Sequence, residues 1–452
     1  MAPVNRRDMM STSLTGLTGA GIAGLALSQT ATATAAPTPT PETQNVIIPA
    51  VTNSGDQTTA IQAALDQAGQ HGGGHVQLGV GTFEISSLQL PANTTLAGIT
   101  GATTLLVTSA ASGLSCQDHA NITIDQLTID QQLTGAIGID AQNARNFNIK
   151  NTTLRNVRDT AIKLEACSGW ISNCQISDIG NVGIFANNSS NLHIADTTIT
   201  GCGNNGIQIW QSAPAHDGTL LIGNRISKIA VKSGGTGQNG NGINIFRANN
   251  VQVHANQISE CGYSAIRGNA ASNIQIIANT CRGLGEVAIY AEFTFEGALI
   301  SNNVIDQSAT GIAVTNSSVG GRLAVVQGNL IRNLRRRENE PVDKRGVGIS
   351  VEADTSVTGN TIENAATAGI RIGHRQHMRD CAVTGNVIRN ARNGILVSSN
   401  KNAGACLVAN NLVSGATDGA IKGHDGIKPV GADLAGQTTL TDRISISGNL
   451  AV

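Results

Sequence analysis

The sequence predicts an all-β solenoid, a right-handed parallel β-helix of about 12–13 coils with an N-terminal capping helix. Three observations point there. First, a phrase made of a small residue, Ile and a third apolar residue two positions on returns about every 23 residues. Its Ile falls at Ile139, Ile162, Ile184, Ile207, Ile243, Ile266, Ile289, Ile312, Ile349, Ile370, Ile395 and Ile421. Second, the pattern apolar-x-apolar-x-x-Asn-x-apolar runs between these, as from Val251 to Ile258. Its Asn is Asn224, Asn256, Asn279, Asn303, Asn329, Asn360, Asn386, Asn411 or Asn449, and upstream the position holds Leu127, Thr152, Cys174 and Thr197. Third, both phrases alternate with period two and are bounded by Gly, Asn, Asp and Ser, the mark of short strands rather than helices.

Such a repeat cannot bury its own apolar side, so coils stack about 4.8 Å apart and like residues pile into Ile and Asn ladders. A buried Asn destabilises unless its amide is bonded, which neighbouring coils and backbone can do at a corner. Composition agrees. With 53 glycines, 2% aromatic and 13% charged residues, the chain is poor in bulky core formers but suits stacked aliphatics in one elongated domain. Net charge −1 and a pI near 6.7 give no global reason to expect nucleic acid or an anionic membrane as partner.

From the N-terminus, Asn5-Arg6-Arg7-Asp8-Met9-Met10, an apolar run from Leu14 to Leu27 and small residues from Ala31 to Ala36 read as an export signal over 1–36. The twin arginines resemble a twin-arginine translocation peptide, with Asn5 in place of the usual Ser or Thr and Met9 in place of Phe. This implies the twin-arginine export machinery as a partner and a periplasmic or secreted location; a general secretory signal or a retained anchor is the alternative. The run is too short and diluted for stable membrane insertion. A Pro/Thr linker follows over 37–45. Within 46–100, Gly55 to Leu65 begins a helix with apolar Ile61, Ala64, Leu65 and Ala68, capped by Asp56 or Thr58.

That helix, the turn Gly72-Gly73-Gly74 and the strand from His75 to Leu78 resemble the N-terminal cap of the pectate-lyase-like superfamily, where the helix plugs the open end of the solenoid. With signal and repeats, nearly the whole chain resembles a family of twin-arginine-translocated bacterial repeat proteins. The repeats fill 101–424 and a C-terminal cap 425–452. Two departures block any transfer of activity: there are no clustered outward aspartates like the calcium site of pectate lyases, and no Asn-Thr-Asp, Asp-Asp and Gly-His-Gly set like that of polygalacturonases. The stretches Ala215 to Gly218 and Gly423 to Gly426 are only faintly similar to the Asp-Pro-His-Asp of alginate epimerases and are read as turns. No cofactor or metal site is expected, since no close-spaced Cys or His cluster occurs. Of eight cysteines, Cys174 takes an Asn-ladder position, Cys281 an inward one, and Cys381 and Cys406 equivalent positions in adjacent coils. Those two are read as ladder thiols, within reach of a disulfide.

Alignment on the Ile phrase names the outward side chains. One column runs Asp140, Lys163, Phe185, Gln208, Asn244, Arg267, Tyr290, Ala313, Ser350, Arg371, Leu396, Lys422. The next runs Gln142, Glu165, Asn187, Trp210, Phe246, Asn269, Glu292, Thr315, Glu352, Gly373, Ser398, His424. Phe185, Trp210, Phe246 and Tyr290 are four of ten aromatic residues; they offer a stacking surface for sugar rings or ordinary packing under a loop. Two longer connections, about Ser227 to Asn241 and Arg332 to Val347, wall a groove beside this face. The expected catalytic residues are Glu292, Arg267, Tyr290 and Glu352; the expected substrate-binding residues are Trp210, Asn244, Phe246, Arg247, Asn269 and Arg371. Glu292 and Glu352 suit the acid and base of glycoside hydrolysis. A lyase would instead use Arg267 or Tyr290 on the proton beside a uronate carboxylate, which Arg371 or Arg247 neutralises. Arg332, Arg335, Arg336, Arg337, Lys344 and Arg345, with His374, Arg375, His377 and Arg379 nearby, favour an acidic ligand, unless they are a solvated face paired with Glu338, Glu340 and Asp343. The expected function is binding, with lyase or hydrolase cleavage left open, of an acidic polysaccharide by a monomer. The alternative is a non-catalytic envelope protein that binds glycan or partner proteins.

Overall fold

Each coil contributes three short strands, and each strand pairs in parallel with its equivalents in the coils before and after, for about 13 turns. The computed structural model describes residues 44–49, 55–235, 237–336, 346–426, 428–436 and 439–452. The expected signal, most of the linker, and Arg337, Glu338, Glu340, Asp343, Lys344 and Arg345 of the second loop lie outside the described residues.

The first ladder runs from Gln44–Ile48, paired with Gly74–Leu78, to Ile444–Ser447, the second from Gly81–Ile85 to Leu450–Ala451, and the third from Leu88–Gln89 to Gly419–Asp425. The Ile phrase lies on the third. Its register passes from Ile139 to Ile162 and Ile184 and on to Ile395 and Ile421, each fully buried. Leu114 continues the same column upstream. The small residue before the Ile keeps coils close: at Gly311 a Cβ would lie 2.5 Å from the carbonyl oxygen of Gly348 in the next coil.

The Asn corner separates the first ladder from the second. Asn303 shows the pattern: its backbone N–H and Nδ2 both donate to Asn329 Oδ1, at 2.9 and 3.0 Å, and Nδ2 also donates to the Ile276 carbonyl at 3.0 Å. The same bonds link Asn224 through to Asn449. Upstream, Cys174 substitutes, its thiol donating to Ser172 O at 3.3 Å. The residue before each corner is left-handed, as at Asn302 (φ 57) and Asn410 (φ 56), which explains the Asn and Gly that punctuate the repeat.

The expected helix spans Thr58–Gln70 and buries Ile61, Ala64, Leu65 and Ala68. Asp56 accepts the Thr58 N–H at 2.7 Å, and Gln62 exchanges two hydrogen bonds with the backbone of Gln89, tying the helix to the first coil. All eight cysteines are free and buried. Burial pushes the Cys281 and Cys381 thiols up to about 12, which suits packing rather than reactivity.

The two His-Asp-Gly stretches differ from the turns expected. Gly218 and Gly426 do turn, at φ 70 and φ 58, but His216 ends the strand Asn205–His216, and His424 lies on Gly419–Asp425, which forms an antiparallel hairpin with Lys428–Val430. His424 is therefore buried rather than outward, bonded through Nε2 to Ile372 O at 3.0 Å. Burial lowers its pKa to about 4, against the pull of that hydrogen bond. The unfolded chain binds a proton here near pH 6.5 and the folded chain does not. This contribution to stability is therefore complete above about pH 6.5 and falls as pH drops toward 4, by on the order of 3 kcal/mol. Urea midpoints at pH 7 and 4.5 should show this acid loss in the wild type, with a clearly smaller one in His424→Gln.

Candidate functional site: a groove on the third ladder

The third ladder holds its outward columns in the expected register, with Asn244 beside Arg267, Arg267 beside Tyr290, and Asn269 beside Glu292. The first long connection folds over this face. Gln238 O accepts from the Nδ2 of Asn205 and Asn244 at 3.0 and 3.2 Å, Gly237 O from Asn241 Nδ2 at 2.8 Å, and Tyr263 Oη donates to Gly235 O at 2.9 Å.

Beneath this cover lies a buried ion pair. Arg267 Nε and Nη2 donate to the two oxygens of Glu292 at 2.6 and 2.9 Å, while Asn269 Nδ2 donates to Oε1 at 3.1 Å. Arg267 Nη1 also reaches Glu286 at 3.4 Å, and its guanidinium stands 5.0 Å from the Tyr290 ring centroid. Burial disfavours both charges. Burial raises the Glu292 carboxyl above its ordinary value against the pull of Arg267, while that carboxylate outweighs burial at Arg267 and raises its pKa. The short fork geometry is that of a charge-assisted pair. Burial, and secondarily Glu292, pushes the Tyr290 phenol up to about 12, so it is a proton donor at neutral pH.

Two cavities flank the pair. The larger, about 530 Å³, is lined by Tyr263, Glu286, Tyr290, Glu352, Arg371 and His374, with Thr315 and Ser350 among its other walls. The smaller, about 220 Å³, is lined by Trp210, Asn244, Phe246, Arg267, Asn269 and Phe293. The structure thus places most of the expected residues around two cavities, one lined by aromatic rings and the other by charged side chains. Glu292 lines neither cavity. It lies 2% exposed under Arg267 rather than on the floor, because the guanidinium folds across it. Arg247 covers Phe246, 4.6 Å from the centroid, and donates to Ser212 O at 2.7 Å. Phe185, Trp210 and Phe246 pack edge to face at 5.5 and 5.7 Å, and Trp210 Nε1 donates to Asn244 Oδ1 at 3.2 Å.

The cationic set divides. Arg371 and His374 line the larger cavity, whereas Arg379 forks onto Asp354 and Arg332 pairs with Asp306 at 3.2 Å, away from it. Glu352 accepts the Ser317 N–H at 2.8 Å. Tyr263 and Glu286 escaped the reading of the sequence, yet they form a column of their own. Each lies three residues before an Ile of the phrase, and their backbones hydrogen-bond in series from Gly240 through Tyr263 and Glu286 to Ala309 and Gly346.

Two family descriptions match this region: "Right handed beta helix region" over residues 112–215, and "Periplasmic copper-binding protein (NosD)" over residues 222–425. The fold is that of a right-handed parallel β-helix. No curated protein sequence matches this β-helix. Among solved structures it is similar to the pre-mature gene product 12 of bacteriophage phi29, with TM-score 0.51 and 16% identity over 82% of this chain and 53% of that one. It is also similar to a mutant tailspike of E. coli bacteriophage HK620 in complex with a hexasaccharide, with TM-score 0.51 and 13% identity over 87% and 74%. The catalytic unit of the GH87 α-1,3-glucanase of Streptomyces thermodiastaticus strain HF3-3 aligns with TM-score 0.48 and 15% identity over 89% and 66%. The chain thus spans about half of the phage protein and 66% of the glucanase unit, and at these identities the likeness concerns the fold.

Copper, named by the second description, does not fit the described residues. They contain no group of three or more His, Cys, Asp or Glu that could hold a metal ion, and the cysteines of the matched stretch are buried with raised pKa values. No described helix is long and apolar enough to cross a membrane.

Proposed function

We propose that this β-helix is exported through the signal at 1–36 and holds an acidic polysaccharide in the third-ladder groove, cleaving it beside Tyr290 and Glu352. The observation that carries the reading is the row of two cavities across Arg267, with rings at one end and Arg371 and His374 beside a phenol and a carboxylate at the other. Aromatic faces take the apolar faces of sugar rings, and guanidinium groups take uronate carboxylates. The solved tailspike bound to a hexasaccharide has the same fold, so an oligosaccharide on a β-helix has a physical precedent.

Roles follow from position. Trp210 and Phe246 would stack sugar rings, with Asn244 and Asn269 bonding hydroxyls, while Arg247 fixes the Phe246 ring. Arg371 would neutralise a substrate carboxylate. Tyr290, protonated at neutral pH, would supply a proton to the leaving oxygen and Glu352 would act as base. Arg267 would bind substrate, and Glu292 would hold Arg267 in place. A second reading, a non-catalytic glycan-binding envelope protein, is favoured by one observation: Glu292, the expected partner of Glu352 in a carboxylate pair, has both oxygens occupied.

The test is incubation with a panel of acidic and neutral polysaccharides, following unsaturated ends and reducing ends together. Unsaturated ends establish a lyase; reducing ends alone establish a hydrolase. Tyr290→Phe and Glu352→Gln should each lower the rate by about 10²-fold or more with binding retained, while Trp210→Ala should weaken binding. Retention on an immobilised glycan without turnover would leave the binding protein, and no retention at all would sink the proposal.

A further inference from the structure

The first ladder presents a face unlike the other two. From Gly169–Ser172 to Ile444–Ser447 its two outward columns stay in register, beginning Trp170 and Ser172 and passing through Leu220 and Ile222 to Ser445 and Ser447. No Asp, Glu, Lys or Arg occurs in either column over that length. The second ladder carries Arg282, Asp306 and Glu363 outward, and the third Lys163 and Arg371. On the first ladder itself charge occurs just upstream, where Lys150 pairs with Asp125 at 3.2 Å.

In the middle of this face Ile277, Leu299 and Val325 stand among the uncharged Gln275, Ser301 and Gln327. Beside them Leu323 is 50% exposed at φ 65, where the equivalent positions of neighbouring coils hold Asn273, Gly297 and Asp354. A left-handed position disfavours Leu, so an exposed Leu there has no local reason. It stands at the edge of an open hollow of about 380 Å³ lined by Gln275, Leu299 and Val325. Charge returns at the edge, where Arg322 bonds Glu296 at 2.6 Å and Asp354 at 3.0 Å.

We infer that this face is an isologous interface on which a second copy of the chain docks, the Leu323 of each copy entering the hollow of the other. A knob and a hollow on one surface are self-complementary, as two-fold association requires. A centre free of charge with apolar side chains in it, and a charged edge, fit the anatomy of such contacts. Eleven coils at about 4.8 Å give a strip near 50 Å long. A swath about 15 Å wide then covers roughly 700 Å², close to the ~800 Å² per partner of a stable interface. A charged polymer finds nothing here to pair with. The groove lies on the third ladder and stays open in such a dimer.

Sedimentation equilibrium of the chain at tens of micromolar should give twice the monomer mass. Leu323→Asp, which places the residue of Asp354 at the equivalent position, and Leu299→Lys should each weaken association at least 10-fold with unchanged thermal unfolding at low concentration. Ser259→Lys, on the second ladder, should leave the dimer intact. A single-chain mass throughout, whether the face binds nothing, a glycan or another protein, overturns the inference, as does a dimer indifferent to both Leu substitutions.

Discussion

Arg267→Met should lower stability by about 3–5 kcal/mol at pH 7, read as a fall in the urea midpoint. Glu292 is 2% exposed, and without the guanidinium its carboxylate keeps only the Asn269 amide. The large term is the stranded charge rather than a lost attraction, so removing both charges should restore most of the loss. Arg267→Met/Glu292→Leu should fall within about 1 kcal/mol of wild type, since an apolar pair can replace a buried ion pair. The pH dependence of the single variant carries a definite sign. A carboxyl whose folded pKa lies above its unfolded value favours folding when protonated, so the deficit of Arg267→Met should shrink as pH falls toward 5 and grow as it rises. A single variant that costs under 1 kcal/mol, or a double variant no more stable than the single, would show that the pair is not closed as described.

The same double variant separates architecture from binding. It should keep the fold yet lose retention on acidic polysaccharide, because Arg267 lines the smaller cavity and touches Glu286 and Tyr290 of the larger. Glu292 alone cannot make this distinction, since changing it frees a buried guanidinium and disturbs both.

The ladders were legible because like residues stack on like. Ile at a fixed phrase and Asn at a fixed corner gave the register of coil on coil before any coordinate did, and with it the columns that hold Tyr290, Glu352 and Arg371. What covers those columns was not legible. Glu292, Ser398 and His424 share the outward parity of Trp210, yet all three are buried, because the cover comes from a long side chain of the adjacent column or from segments outside the repeat. Arg267 folds across Glu292, Ser398 Oγ donates to Arg375 O at 2.5 Å, and the C-terminal hairpin continues from His424. Period two reports the side of a strand, not what lies above it. Tyr263 and Glu286 could have been found by indexing the position three before each Ile, where the column has no apolar rule to draw attention to it. The uncharged face of the first ladder was equally open to reading, but only once that ladder was aligned on its own inward residues.

The Asn ladder yields the other large expected effect. Asn303→Ala should cost about 3–5 kcal/mol. Asn303 Oδ1 accepts the Asn279 N–H and Nδ2 at 2.9 and 3.0 Å, and its own Nδ2 satisfies the Ile276 carbonyl. Alanine orphans the Asn279 backbone donor and the Ile276 acceptor in a corner with no exposure, and leaves a small void. The terminal corner is the control: Asn449 makes equivalent bonds but is only partly buried, so water can replace them and Asn449→Ala should cost about 1 kcal/mol. The upstream coils supply a graded variant. Thr197 Oγ1 accepts the Cys174 N–H at 3.4 Å and donates to Ala195 O at 2.9 Å, so a hydroxyl keeps the acceptor that the preceding coil needs. Asn303→Thr should therefore recover roughly half of the alanine loss, and hydrogen exchange at the Asn279 amide should follow the same order, slowest in wild type and fastest in Asn303→Ala. Equal costs at Asn303 and Asn449 would mean that the ladder fixes register without supplying stability.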